Sequence, residues 1–140
     1  MEKLSINRGI KEFEVAEGVT VAFNPADIGF ISRLFSEFEG LTEKDKEWRE
    51  KLKAEKDPHR VVELFEEGGT MFANAIDNVL GEGVTAAFCG GVSVLAISEG
   101  LPIWALILLE IISKCDDNIT AQMQVENPKL KKYIEKYGRK

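Results

Sequence analysis

Histidine and cysteine, which carry much of acid–base and nucleophilic catalysis, are scarce here: the 140-residue chain holds one histidine and two cysteines. Together they cannot supply the four ligands of a structural zinc site. His59 stands just inside a helix start beside Asp57 and Arg60, with no nucleophile or orienting group in view, and reads as a surface residue. Cys89 and Cys115 lie far apart, without CxxC spacing and in apolar surroundings. They read as buried thiols rather than as a disulfide or redox pair. Phosphate-loop chemistry is missing too. GEG at 81–83 and CGG at 89–91 lack a following Walker lysine, no GxGxxG occurs, and both segments read as helix stops. Adjacent carboxylates such as Glu66 and Glu67, or Asp116 and Asp117, diverge on a helix and read as solvated faces. The expectation is a non-enzyme with no catalytic, cofactor-binding or metal-ligating residues.

Positive charge is sparse as well. The net charge is −6, and no Lys/Arg stripe runs along the chain, although its last dozen residues are locally basic. Binders of nucleic-acid backbone cluster cations against phosphates, so no nucleic-acid partner is expected. The opening MEKLSINRG turns polar at once and lacks an apolar signal-peptide core, which places the expected location in the cytoplasm.

What the chain does have is one strongly apolar stretch, Val92 to Cys115, in which Glu110 is the only charge between Leu101 and Ile112. A helix that is apolar on every side is buried or spans a membrane. Glu99, Gly100 and Pro102 interrupt this stretch, and acidic rather than basic residues follow it, so no membrane span is expected. Two destinations stay open for it: the core of the monomer, or an interface with another copy or a client.

Before this stretch, Phe13 and Val15 alternate with charged residues, and Val19, Val21 and Phe23 alternate beyond Glu17-Gly18. This period of two marks a hairpin with one buried face, in a two- or three-stranded sheet. Asn24-Pro25-Ala26-Asp27 reads as a helix start with Asn24 as N-cap, and Ile28, Ile31, Leu34, Phe35 and Phe38 as the apolar stripe. Gly40 is a candidate break, and the charged stretch after it reads as a helical arm. In this arm Trp48 is either a core contact or a docking aromatic. Asp57-Pro58 starts a second helix with the stripe Val61, Phe65, Gly68, Phe72, Ile76 and Val79. Gly68-Gly69 marks a close helix crossing or a kink, and Gly81 suits a left-handed C-cap.

A short amphipathic segment, Val84–Cys89, follows. Ser93 is placed to cap a helix through Ser98, and Pro102 to open a long one faced by Trp104, Ile107, Leu108, Ile111 and Cys115. Asn127-Pro128 signals a last basic helix carrying Tyr133, Ile134 and Tyr137. The whole reads as one α+β domain, mainly α. Residues 1–23 form a small antiparallel sheet, 24–56 a helix and charged arm, 57–126 a helical core, and 127–140 a basic helix or tail.

Three stretches carry a resemblance. INRG leads into FNPADIGFISRL, FANAIDNVLGEGVTAAFCGGVSV lies mid-chain, and KLKKYIEKYGRK ends the sequence. They resemble the "F-x-P-x-D-x-x-F" helix start, the "I-D-x-x-F-G-E-G-T … F-G-G-x-V-S" segment and the Lys/Tyr tail of the tail assembly chaperones of long-tailed (siphovirus) phages and prophages. The likeness covers roughly two thirds of the chain, and Leu80 stands where that family has an aromatic. What the resemblance implies is a chaperone in the bacterial host cell. It would keep the tape measure protein soluble and help to recruit tail tube protein, and it would correspond to the short form where a frameshifted longer one is also made.

On that reading, partner-binding falls to Phe65, Phe72, Ile76, Trp104, Leu108, Ile111 and Trp48. The groove would lie between the helices around Phe65–Val79 and Trp104–Ile111, and a homo-oligomer is a further expectation. The alternatives are a tail-completion component that stays in the virion as a ring, and an enzyme or small-ligand protein with a pocket behind the hairpin.

Overall fold

A computed structural model describes residues 1–123 together with Lys132, Glu135 and Lys136. The architecture is α+β, mainly α. Strands β1 (Lys11–Ala16) and β2 (Val19–Phe23) pair antiparallel, Phe13 facing Val21 and Lys11 facing Phe23, with an irregularity between Glu14 and Ala16. Gly18 turns the chain at φ 75°. Val21 and Phe23 are buried and Phe13 and Val15 half-buried, so the alternation in the sequence does mark the inward face. No third strand joins this sheet among the described residues, and residues 1–10 form neither helix nor strand.

Helix α1 (Ile28–Ala54) begins three residues later than its Asn-Pro signal implies. Asn24 instead closes a turn, its Oδ1 accepting from Ala26 N at 2.8 Å, while Asp27 is the N-cap and accepts from Gly29 N. The stripe shifts in consequence. Ile28 is exposed, and Phe30, Ile31, Leu34, Phe35, Phe38 and Leu41 are buried. Gly40 does not interrupt the helix, because helical hydrogen bonds on both sides outweigh the cost of about 1 kcal/mol for one exposed glycine.

The Asp57 cap and Pro58 start helix α2 (Pro58–Leu80) as the sequence signals. Its buried face is Leu64, Gly68, Phe72, Ile76 and Leu80, rather than one running through Val61, Phe65 and Val79. Gly68 resolves as a close crossing. A methyl carbon there would lie 2.6 Å from Trp48 Nε1, and the helix continues without a break. Gly81 ends it at φ 121°, ψ 151°, outside the left-handed helical region but equally reserved for glycine.

Helix α3 (Val84–Cys89) ends at Gly90, and the segment after it departs from the helix expected there. Ser93 caps no helix. Residues 93–96 turn, and β3 (Ile97–Ser98) pairs with β4 (Leu101–Pro102) through Glu99 and Gly100 at φ 55° and 80°. This small hairpin folds onto the start of helix α4 (Ile103–Met123), where Ile103 N and Trp104 N donate to the carbonyls of Ala96 and Val94. Two first-turn donors that a helix leaves unpaired are thereby satisfied.

Helix α4 is the centre of the molecule. Trp104, Ala105, Ile107, Leu108, Leu109, Ile111, Ile112, Cys115 and Ile119 are all buried, which no single face of a helix could accommodate. Trp104 lies edge-on to Phe38 of α1 at 5.8 Å and to Phe72 of α2 at 5.3 Å. Phe13, Phe23 and Phe30 stack in series and tie the hairpin to α1. One continuous apolar cluster thus joins β2, α1, α2, α3 and α4. Among the described residues no helix is long and apolar enough to cross a membrane. The expected basic helix with Tyr133, Ile134 and Tyr137 lies outside the described residues.

Candidate functional site

The structure separates the seven candidate partner-binding residues. Phe72, Ile76, Trp104, Leu108 and Ile111 lie in the central cluster with at most 4% of their surface exposed. Phe72 meets Trp104 edge-on across the α2–α4 contact, which is closed core rather than an open groove. Trp48 is also inside: it packs on Gly68, and its indole N–H donates to Leu64 O at 2.8 Å. Only Phe65 reaches the surface, 48% exposed, its ring held edge-on by Trp48 at 5.3 Å. The expected groove between α2 and α4 is therefore corrected. The physical reason is the all-round apolarity of α4, which draws both flanking helices onto it.

A different groove opens on the far side of α2. Phe65, Gly69 and Ala73 form one wall, Ala86 and Cys89 of α3 another, and Val92 and Val94 close the end, around a volume of about 520 Å³. Val92 is 54% exposed, so the mouth is apolar, and Glu66, Thr70 and Ser93 stand among the lining residues. Gly69 has no heavy atom within 4 Å of where a Cβ would sit, and so widens the floor. Sequence periodicity assigned Phe65 to the core and Val92 to the start of the apolar stretch. The loop that brings Val92 back beside α2 is a tertiary feature with no local signature.

One carboxylate fixes the groove's shape. Asp77, on α2, accepts from Thr85 N at 2.9 Å, from Thr85 Oγ1 at 2.6 Å and from Gly83 N at 3.0 Å. It serves as a cap for α3 from another helix, since the residue in the N-cap position, Gly83, has no side chain to do so. Thr85 is the one buried polar residue among those described, and this bond accounts for its burial.

The two thiols are free. Burial raises the Cys89 thiol, with a smaller contribution from Asp77. Cys115 is fully enclosed, and burial, with Asp27 adding to it, pushes its thiol up from 9.0 to about 12. Thiolate is the nucleophilic form, so both environments work against thiol chemistry at neutral pH. Among the described residues no group of three or more His, Cys, Asp or Glu side chains is gathered as a metal site. His59 is exposed at the start of α2, where its backbone N–H is bound by Asp57.

A second concavity, of about 460 Å³, lies beside the β1–β2 hairpin. Phe13, Val15, Val21, Phe23, Phe88 and Ile111 give it an apolar floor, with Glu12, Glu14, Glu110 and Lys114 around them. Comparisons of the chain with protein-family models, with curated proteins and with solved structures found no match.

Proposed function

We propose that this chain is a non-enzymatic binding protein that acts as a tail assembly chaperone, holding an apolar segment of the tape measure protein in the groove beside α2. The single observation that carries the reading is that groove: an exposed Phe65 braced from behind by Trp48, facing an exposed Val92 across a floor of glycine and alanine. An amphipathic client helix laid in such a groove buries apolar side chains at helical spacing, which gives affinity without demanding one sequence. The negative net charge of the chain keeps a complex with an aggregation-prone client in solution. The client's identity comes from the resemblance of the FNPAD, LGEGV and CGGVSV stretches, and so does recruitment of tail tube protein.

Co-expression with a tape measure protein tests the proposal, scored by client solubility and co-purification. A soluble, stable complex is the expected outcome. A client that stays insoluble beside folded protein would overturn it, and mass spectrometry of purified virions would then test the ring-forming tail component.

A further inference from the structure

We infer that the concavity beside β1 is the seat of a neighbouring copy's N-terminal arm, so that the chain self-associates by exchange of residues 1–8. Three observations meet here. First, the concavity is touched by four consecutive residues, Glu12 to Val15. Successive side chains of a strand point to opposite faces, so a cavity touching all four reaches round the strand's edge from the inward face, where Phe13, Val15, Val21 and Phe23 form its floor. One edge of β1 pairs with β2, and among the described residues no strand pairs with the other. A segment entering there gains both backbone hydrogen bonds and an apolar floor.

Second, the arm supplies such a segment. Leu4 and Ile6 are 93% and 85% exposed, and as alternate residues they share one face of an extended chain. Among the described residues nothing covers them. The arm's root, in contrast, is fixed: Asn24 Nδ2 donates to Arg8 O at 2.8 Å, and Gly9 N donates to Asn7 Oδ1 at 2.9 Å. Asn24 follows β2, so this pin holds the root on the β2 side of the hairpin, whereas the open edge belongs to β1. Beyond this pin the arm leaves Leu4 and Ile6 exposed, outside its own groove, whose lining holds no residue before Glu12.

Third, the charges match. Glu12, Glu14 and Glu110 against Lys114 leave the groove net acidic, while Lys3 and Arg8 against Glu2 leave the arm net basic. Opposite net charge steers the two together and disfavours arm-to-arm contact.

The test uses two variants of the full chain in a Cys89→Ala background, Ser5→Cys and Glu14→Cys, mixed with tags of different length and treated with a short bismaleimide. Cys115 is enclosed and does not compete. The expected result is a cross-linked species joining the two differently tagged chains, formed only in the mixture. In light scattering, Leu4→Asp/Ile6→Asp should reduce an associated wild type to the monomer mass with an unchanged melt, because both side chains are almost wholly exposed. Three results would each overturn the inference: a wild type that is monomeric at every concentration, linkage confined to single chains of the Ser5→Cys/Glu14→Cys double variant, or association that survives the aspartate pair. The last would assign the interface to another segment, such as the basic residues 129–140.

Discussion

Adding one methyl group at Gly68 would set a carbon 2.6 Å from Trp48 Nε1 and 2.9 Å from Cε2, closer than carbon tolerates. The indole lies there because its N–H reaches the carbonyl of Leu64, one turn earlier on α2. Gly68→Ala gains about 1 kcal/mol of helix propensity. It loses about 1–3 kcal/mol to overpacking and about 1 kcal/mol more through the strained hydrogen bond. A lowered melting temperature is expected, with a red-shifted Trp48 fluorescence component. Gly40 is the contrast, exposed on α1 with open space where a Cβ would sit. There Gly40→Ala should raise stability by up to about 1 kcal/mol, since nothing opposes the propensity gain.

Cys115 gives a pH prediction at the same scale. Its thiol is raised from 9.0 to about 12 by burial, so the folded chain keeps a proton that the unfolded chain releases. Stability is then unaffected below about pH 9 and falls as pH rises from there towards 12, because the unfolded state binds fewer protons. Comparing thermal melts at pH 8 and pH 10.5 for wild type and Cys115→Ala isolates the effect. The gap between the two proteins should narrow at the higher pH.

Among the elements, α3 is the one that depends on a neighbour. Six residues between two glycines do not hold a helix by propensity, and the Asp77 carboxylate receives three donors from its first turn. Asp77→Ala removes that cap and leaves the buried Thr85 hydroxyl with only the longer contact to Ala73 O at 3.3 Å. The cost should be about 2–3 kcal/mol, from a lost cap and an ill-satisfied buried donor. Hydrogen exchange should rise selectively over residues 83–89, with α1 and α4 protected as before. Because α3 forms one wall of the groove, client binding should weaken in the same variant.

For the molecule as a whole, the arrangement sorts substitutions into those that test folding and those that test docking. Trp104→Ala opens a cavity between Phe38 and Phe72 and should cost about 3–5 kcal/mol, so loss of function in it reports loss of structure. Phe65→Asp and Val92→Asp place charge where solvent already reaches, and each should shift stability by no more than about 1 kcal/mol. Together they should abolish rescue of tape measure solubility while circular dichroism and melting stay near wild type. Retained rescue in the double variant would remove the groove from the function.

The sequence by itself determined the parts of this protein that are governed by neighbours a few residues away. Alternation around Glu17-Gly18 placed the hairpin, Asp57-Pro58 started α2, and paired glycines ended α3, because turns and caps are decided by local backbone chemistry. The apolarity after Leu101, with Glu110 its one charge up to Ile112, marked α4 as buried but left open whether in the monomer core or an interface, because hydrophobic pattern is a local record of environment. Only the tertiary structure decided which apolar residues face a partner. Phe65 and Phe72 lie on the same helix and read alike, yet Trp48, reaching across from α1, packs on Gly68 and leaves Phe65 at the rim while Phe72 meets Trp104. Val92 joins Phe65 through a loop whose course is set by Ala96 and Val94 satisfying the start of α4. Such contacts join residues far apart in the chain, and their free energy exists only once the helices have packed.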